Sequence, residues 1–219
     1  MTELPSLRPL PTYLTERYRA WHKLRFSENR AWYARLATEG QRPRTMVISC
    51  CDSRVNVLEM FGAEPGDLFV LRSVANLVPP YSPDHQHHGT SSAVEYAVNA
   101  LKVAHIAVVG HSNCGGVAAC HDMCAGLAPE LEEKSSFIGR WMDILRPGYE
   151  RVAASVPDAA ARKAALEREA VLTSLANLAT FPFVAAAVDA DMLTLHGAFI
   201  EIGTGELLEY RGEDGFVAV

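Results

Sequence analysis

The sequence predicts an α/β fold, with a mostly parallel four-stranded sheet, an added edge strand, helices on both faces and an N-terminal helical arm. Apolar runs of strand length alternate with stretches of helical periodicity, which is the pattern of parallel strands joined by helical crossovers. Two of the runs end in chemically loaded residues. Residues 46–49 lead into Cys50, and residues 106–109 lead through Gly110 to His111 and Cys114. Sites in such sheets lie beyond the carboxyl ends of the strands. Ahead of the first strand, Tyr13, Tyr18, Trp21, Leu24, Trp32 and Leu36 recur at helical spacing.

Taken in order, residues 12–38 read as helical, with Ser27 placed to cap a second helix within the stretch. The arm is taken as residues 1–38 and the remainder, 39–219, as a single domain. The arm packs on its own domain or on a partner subunit, and its residues leave both open. Residues 46–49 are the first strand and 68–71 the second, after a turn at Glu64, Pro65, Gly66 and Asp67. Residues 76–88 form a loop with Pro79, Pro80 and the tract His85, His87, His88. Residues 90–101 are helical, with Val94, Val98 and Leu101 on one side. The third strand ends at Gly110. Residues 116–125 are helical, as are 135–145, which Pro147 and Gly148 are expected to stop. Asp158 caps a long Ala-rich helix that runs to Thr180, where Phe181 and Pro182 interrupt it. Residues 192–199 are the fourth strand, and Gly203 and Gly205 mark a turn into the fifth, at the edge.

Composition narrows the function. Hydrophobic residues are 49% of the 219, enough for one sizeable core. The net charge is −6 and no basic cluster is present, which argues against nucleic acid or an anionic membrane surface as partner. No apolar run approaches the roughly 18 residues of a membrane span. Residues 1–11 lack a basic end followed by an apolar run, so no secretory signal is read there. The five cysteines are odd in number and do not form a disulfide framework. They read as thiols of a reducing compartment, and a cytoplasmic location is expected.

Cys50, His111 and Cys114 form a Cys2His donor set of the kind that binds zinc. A pair on one loop plus a lone ligand about sixty residues earlier is unlike a zinc finger, which uses two short-spaced pairs. Three protein ligands leave a fourth position for water, as catalytic zinc sites do. Two thiolates and a neutral imidazole make the site formally neutral, so bound hydroxide would carry the excess charge. Thiolates donate more electron density than imidazoles, so activity is expected to rise on the alkaline side of neutrality. Asp52 and Arg54 follow Cys50 closely. Arg54 can hold the carboxylate as a bidentate ion pair, aimed to accept the hydroxide's proton in a hydrogen bond. Alternatively, Asp52 binds the zinc itself and closes the site. The residues do not choose between these.

Other groups read as ordinary structure. Cys51 is expected to be a small buried hydrophobe. Cys120 and Cys124 share a helix face with His121 nearby, and they fall where core cysteines would. The histidine tract is expected to be a solvated loop. Ser112 between Gly110 and Gly115 resembles a nucleophile elbow but has one residue too many before the second glycine. No lysine follows the glycines as a phosphate loop requires. A thiol nucleophile at Cys50 or Cys114 would leave the Asp52–Arg54 pair without a role.

Together, the motifs Cys50, Asp52, Arg54 and His111, Cys114, Gly115, Gly116 resemble those of the β-class carbonic anhydrases. The segments 64–81, 95–98 and 174–183 are also similar to family patterns, so the resemblance covers about residues 30 to 210. It implies reversible hydration of CO2 to bicarbonate and a proton, with one zinc ion per subunit on Cys50, His111 and Cys114. It makes Asp52 and Arg54 the orienting dyad. Gln41 would contact substrate as in plant-like members, and Phe69, Val74 and Tyr96 would line an apolar pocket suited to an uncharged gas. It also implies a homodimer or higher even homo-oligomer, with the pocket completed across the dimer interface and the N-terminal helices laid on the partner. Two departures stand out. Cys51 replaces the family's usual Ser or Ala and places a spare, oxidisable thiol beside a ligand. Val47 stands where the allosteric subgroup has a Trp. An open site without a bicarbonate switch is therefore expected, in a plant-like, non-allosteric member. Two other readings stay open. One is a carbon disulfide or carbonyl sulfide hydrolase on the same scaffold. The other is a thiol-based redox or binding protein with structural zinc.

Overall fold

The computed structural model describes residues 8–83 and 89–219, so His85, His87 and His88 lie outside the described residues. The chain divides into two compact units at the Gln41–Arg42 link. The N-terminal unit holds α1 (Thr12–Trp21), a π-helical turn (His22–Phe26) and α2 (Arg30–Glu39). Within it the rings of Trp21, Phe26 and Tyr33 touch one another, with centroids 5.0–5.9 Å apart. No residue of these helices is buried. Ser27 does not cap α2. Its hydroxyl donates to the His22 carbonyl and so closes the π turn, and α2 begins after Asn29.

In the second unit, six strands among the described residues form one sheet in the order β2-β1-β3-β4-β5-β6. β1 (Thr45–Cys50), β2 (Leu68–Ser73), β3 (His105–His111) and β4 (Thr194–Ile200) are parallel. β5 (Leu207–Tyr210) and β6 (Phe216–Ala218) are added antiparallel. The class is the expected one, but the edge differs, because the last strand is β6 and not the fifth. Three residues are too few to display a period-two pattern, so sequence alone does not reveal β6.

The helices are α3 (Val57–Met60), α4 (Gly89–Glu95) running on into a π-helical turn (Tyr96–Leu101), α5 (Gly115–Cys124), α6 (Phe137–Met142), α7 (Arg146–Ser155), α8 (Ala159–Ala179) and α9 (Pro182–Asp189). Pro147 does not end a helix as expected. It sits in the first turn of α7, where its missing N–H would have had no partner in any case. Asp158 caps α8 as read, its carboxylate accepting from the amides of Ala160 and Ala161. Pro182 ends the run by opening α9.

Strand alternation sorts the core. Met46, Ile48, Ile106, Val108 and Phe199 face Val94 of α4, Val171 and Leu178 of α8 and Val184 of α9. Val47 and Val109 face the other way, against Val55, Val57 and Met60. A third cluster lies where the strands end. In it Cys50 and Cys114 pack with Leu77, Val117, Cys120, Met123, Met142, Leu145 and Leu166. This cluster is the back wall of the region that the sequence marks as chemical.

α8 lies close over the sheet because two strand positions lack a Cβ. A methyl on Gly110 would meet Val171 Cγ2 at 2.6 Å and Phe199 at 3.2 Å, and one on Gly197 would meet Leu175, Tyr210 and Val171 at 3.1–3.2 Å. Gly110→Ala is therefore expected to lower stability by about 1–3 kcal/mol through overpacking. Urea unfolding monitored by circular dichroism measures this, and an unchanged midpoint would show that α8 can move away freely.

Candidate metal centre

β1 and β3 are hydrogen-bonded neighbours with Ser49 opposite Val109, so the residues that follow emerge side by side. Cys50 is the last residue of β1 and is buried. β3 ends at His111. The chain then turns through Ser112 and Asn113, whose φ of 56° is left-handed, a conformation that Asn tolerates better than most residues. The turn delivers Cys114 to the N-terminal cap of α5.

The three ligand atoms of Cys50, His111 and Cys114 lie within 4.8 Å of one another, and the two sulfurs are 3.9 Å apart. Two sulfurs at about 2.3 Å from a tetrahedral zinc would stand about 3.8 Å apart. His111 Nδ1 is 2.9 Å from the Ser112 carbonyl, which places the ring proton there and leaves the Nε2 lone pair on the other side. Nε2 is buried and has no hydrogen-bond partner among the described residues. An orphaned imidazole lone pair beside two close sulfurs fits a zinc ion.

The surroundings favour thiolates. The amide of Asp52 donates to Cys50 Sγ at 3.4 Å, and that of Ala75 also bonds it. Cys114 Sγ meets the amides of Val117 and Gly116 at the head of α5. Hydrogen bonding from Cys114 holds the Cys50 thiol well below its ordinary range and pushes Cys114 up in turn. A bound cation would displace the thiol protons. Ala75 is itself left-handed, at φ 58°, and fully buried. Gly116 permits this turn to lie against α5, since a Cβ there would meet Val74 at 2.7 Å, and Trp141 Nε1 donates to the Val74 carbonyl at 2.9 Å.

Asp52 and Arg54 form the anticipated fork. Arg54 Nε donates to Oδ1 at 2.9 Å and Nη2 to Oδ2 at 2.7 Å, and the Arg54 amide also donates to Oδ1. Asp52 Oδ2 stands 4.0 Å from His111 Nε2, beside the donor cluster but outside it. These bonds, those of the Arg54 side chain foremost, hold the carboxyl well below the usual carboxylate range. Arg54 Nη2 also donates to the Asn113 carbonyl at 3.0 Å, which ties the two ligand loops together.

Sequence reasoning missed two residues that brace these loops. Arg72 donates to the carbonyls of Cys50, Asp52 and Val55 at 2.6–2.9 Å and so clamps the first loop. Glu167, buried on α8, accepts from the Cys114 amide at 2.9 Å. A signal for each was available. Arg72 interrupts an apolar strand, and Glu167 lies on the buried stripe of α8 that also holds Ala170, Val171 and Ser174.

The remaining expectations divide. Cys51 is exposed and not buried, because β1 ends at Cys50 and the strand alternation stops there. Cys120 is in the core as read, and Cys124 is half-buried. Val74 borders a cavity of about 490 Å³ with Cys51, Ser73, Phe137, Ile138 and Trp141. Phe69 and Tyr96 pack on each other, ring centroids 5.9 Å apart. They are not brought to the donors, since Phe69 pairs with Met46, four residues before Cys50 and so about 13 Å along the strand. Gln41 is exposed, the last residue of the N-terminal unit.

The sequence matches the carbonic anhydrase family over residues 45–207. The chain belongs to the β-class carbonic anhydrases. It is 34% identical over 188 residues to beta carbonic anhydrase 3 of Arabidopsis thaliana, covering 84% of this chain and 71% of that one. The fold superposes on the β-carbonic anhydrase CcaA with a TM-score of 0.84 at 32% identity, over 94% of this chain and 91% of that one. A β-carbonic anhydrase of Coccomyxa, solved with acetazolamide, gives a TM-score of 0.76 at 29% identity, over 90% and 85%. One of two tetrameric β-carbonic anhydrases of Sordaria macrospora gives 0.71 at 28%, over 90% and 94%.

In this carbonic anhydrase the Asp52 pKa is lower in the folded state than in the unfolded chain. Its ionisation therefore contributes stability above the ordinary carboxylate pKa of about 4 and loses that contribution as pH falls through the depressed value. Arg54→Met should return the Asp52 titration toward the ordinary range in the metal-free protein. Carboxyl carbon NMR reads this directly, and a titration left depressed would show that Arg54 is not the cause.

Proposed function

We propose that this chain hydrates CO2 reversibly to bicarbonate and a proton, with one zinc ion per subunit held by Cys50, His111 and Cys114. The observation that carries the proposal is the meeting of these three donors at two adjacent strand ends, with the Asp52–Arg54 fork beside them. Bound zinc supplies a Lewis acid that brings the pKa of water toward neutrality.

The chain's own residues do the rest. Asp52, kept ionised, accepts a hydrogen bond from the attacking water and turns its lone pair toward the carbon of CO2. Arg54 occupies both carboxylate oxygens and so fixes their direction, and with the carboxylate committed to Arg54 the site takes its open form. Val74, Phe137, Ile138 and Trp141 give an apolar wall that suits an uncharged linear gas.

Phe69, Tyr96 and Gln41 act in the pocket of a second copy, across a homodimer interface. Supporting this, Phe69 lies far along its strand from the donors of its own protomer, and Tyr96 is half exposed. The arm, of which residues 1–7 lie outside the described residues, is proposed to lie on the partner through residues 8–38 in a homodimer or higher even oligomer. Tyr13, Tyr18, Trp21 and Leu24 stand 40–58% exposed on helices that bury nothing within their own unit. The plant-like, non-allosteric assignment rests on Val47, which is packed in the core where the allosteric subgroup has a Trp. A cytoplasmic location is proposed from the cysteines, all free thiols. No single helix among the described residues is long and apolar enough to cross a membrane. The Asp52–Arg54 fork favours a catalytic over a purely structural zinc, and neither the carbon disulfide nor the redox reading has such an observation behind it.

Stopped-flow CO2 hydration, with zinc measured on the same sample, tests the proposal. Wild type should contain one zinc per subunit and be active. Cys50→Ser should lose zinc, and Asp52→Asn should keep zinc while kcat falls by about 10²–10⁴-fold. Full activity in Asp52→Asn would contradict the role given to the fork.

A further inference from the structure

Glu167 has no place in the reaction just described, yet it is a carboxylate buried at the back of the donor set. It sits on α8, is 8% exposed, and its Oε1 accepts from the Cys114 amide at 2.9 Å. The Asn113 amide bonds the same carboxyl group. These are the amides of the turn that carries Cys114 into α5, one of them on a residue in the left-handed conformation. Cys114 is itself the cap residue of α5, so its own amide and that of Asn113 lie just ahead of the helix. Glu167 thus serves the two amides just ahead of α5, beside a helix end whose aligned dipoles favour negative charge.

Glu167 can reach this turn because α8 lies close to the sheet. Its backbone carbonyl is 3.5 Å from where a Cβ on Gly110 would be, and Val171, one turn further along α8, would be 2.6 Å from that Cβ. Gly110, Val171 and Glu167 therefore form one packed unit beside the second ligand loop.

We propose that Glu167 is a positioning residue for the metal. It fixes the backbone of Asn113 and Cys114 so that Cys114 Sγ stands at bonding geometry with Cys50 and His111. It acts through the turn and touches neither the ion nor CO2. Partners beyond the ligand shell commonly change metal affinity by about 10–100-fold when removed. Deleting this carboxylate would strand the buried Cys114 amide and free the turn to relax. A glutamine in its place keeps the carbonyl acceptor for the Cys114 amide and loses the charge, which separates hydrogen bonding from electrostatics.

The inference rests on the zinc assignment, so the test reads zinc binding and coordination separately from turnover. Zinc affinity is measured on the full chain by chelator competition, and the Cys-to-metal charge-transfer bands are recorded after cobalt substitution. Glu167→Ala should weaken zinc binding about 10–100-fold and alter the cobalt bands, while Glu167→Gln should stay within a few fold of wild type with wild-type bands. Unchanged zinc affinity and unchanged bands in Glu167→Ala would overturn the proposal. So would a Glu167→Gln variant as impaired as Glu167→Ala, because the hydrogen bond would then not be the cause. If Glu167→Ala does not fold, Glu167→Asp decides, because it draws the carboxylate back by one methylene. Weakened zinc binding in it supports the proposal and unchanged binding overturns it. A wild-type chain that takes up no zinc would instead remove the zinc assignment, and this inference with it.

Discussion

The structure depends on one pairing, the parallel alignment of β1 with β3. Because Ser49 lies opposite Val109, the first residues beyond both strands emerge together at one end of the sheet. Residues more than sixty positions apart in the chain thereby place two sulfurs 3.9 Å apart. No local motif could do this. Neither loop alone holds three donors, and a slip of one residue would turn Cys50 to the opposite face.

The pairing brings the donors together, and hydrogen bonds then hold the loops that carry them. Arg72 clamps three carbonyls of the first loop, Arg54 links the first loop to the second, and the Cys114 amide rests on Glu167. Amides at Asp52, Ala75, Gly116 and Val117 point at the sulfurs, so the thiolates meet fixed dipoles in place of water. Burial makes those bonds matter. A buried anion without donors is costly, and a buried imidazole lone pair without a partner is equally uncomfortable. A cation among the three donors relieves both.

The sequence showed the donors and the fork because each is a short motif at a strand end, and the apolar runs before them are unmistakable. The capped helix α8 was equally plain from Asp158 and its alanines. What escaped has physical reasons. β6 is too short to show alternation. Pro147 serves equally as a stop or as a first-turn residue, and packing decides which. Cys51 follows a buried strand, and only the place where β1 ends turns it outward. Phe69 and Tyr96 carry no mark of their distance from the donors, because only the β1–β2 register shows how far along the sheet they lie. Arg72 and Glu167 show in the sequence only as charges on apolar stretches, and the backbone groups they serve belong to other segments.

The central claim is a single zinc ion held by two sulfurs and one imidazole, with a fourth position left to a light atom. Zinc-edge X-ray absorption on the purified protein near pH 8 tests it most directly. The account predicts about two sulfur neighbours near 2.3 Å and about two nitrogen or oxygen neighbours near 2.0–2.1 Å, one of them with the outer-shell pattern of an imidazole. Four sulfur neighbours, or none, would contradict it.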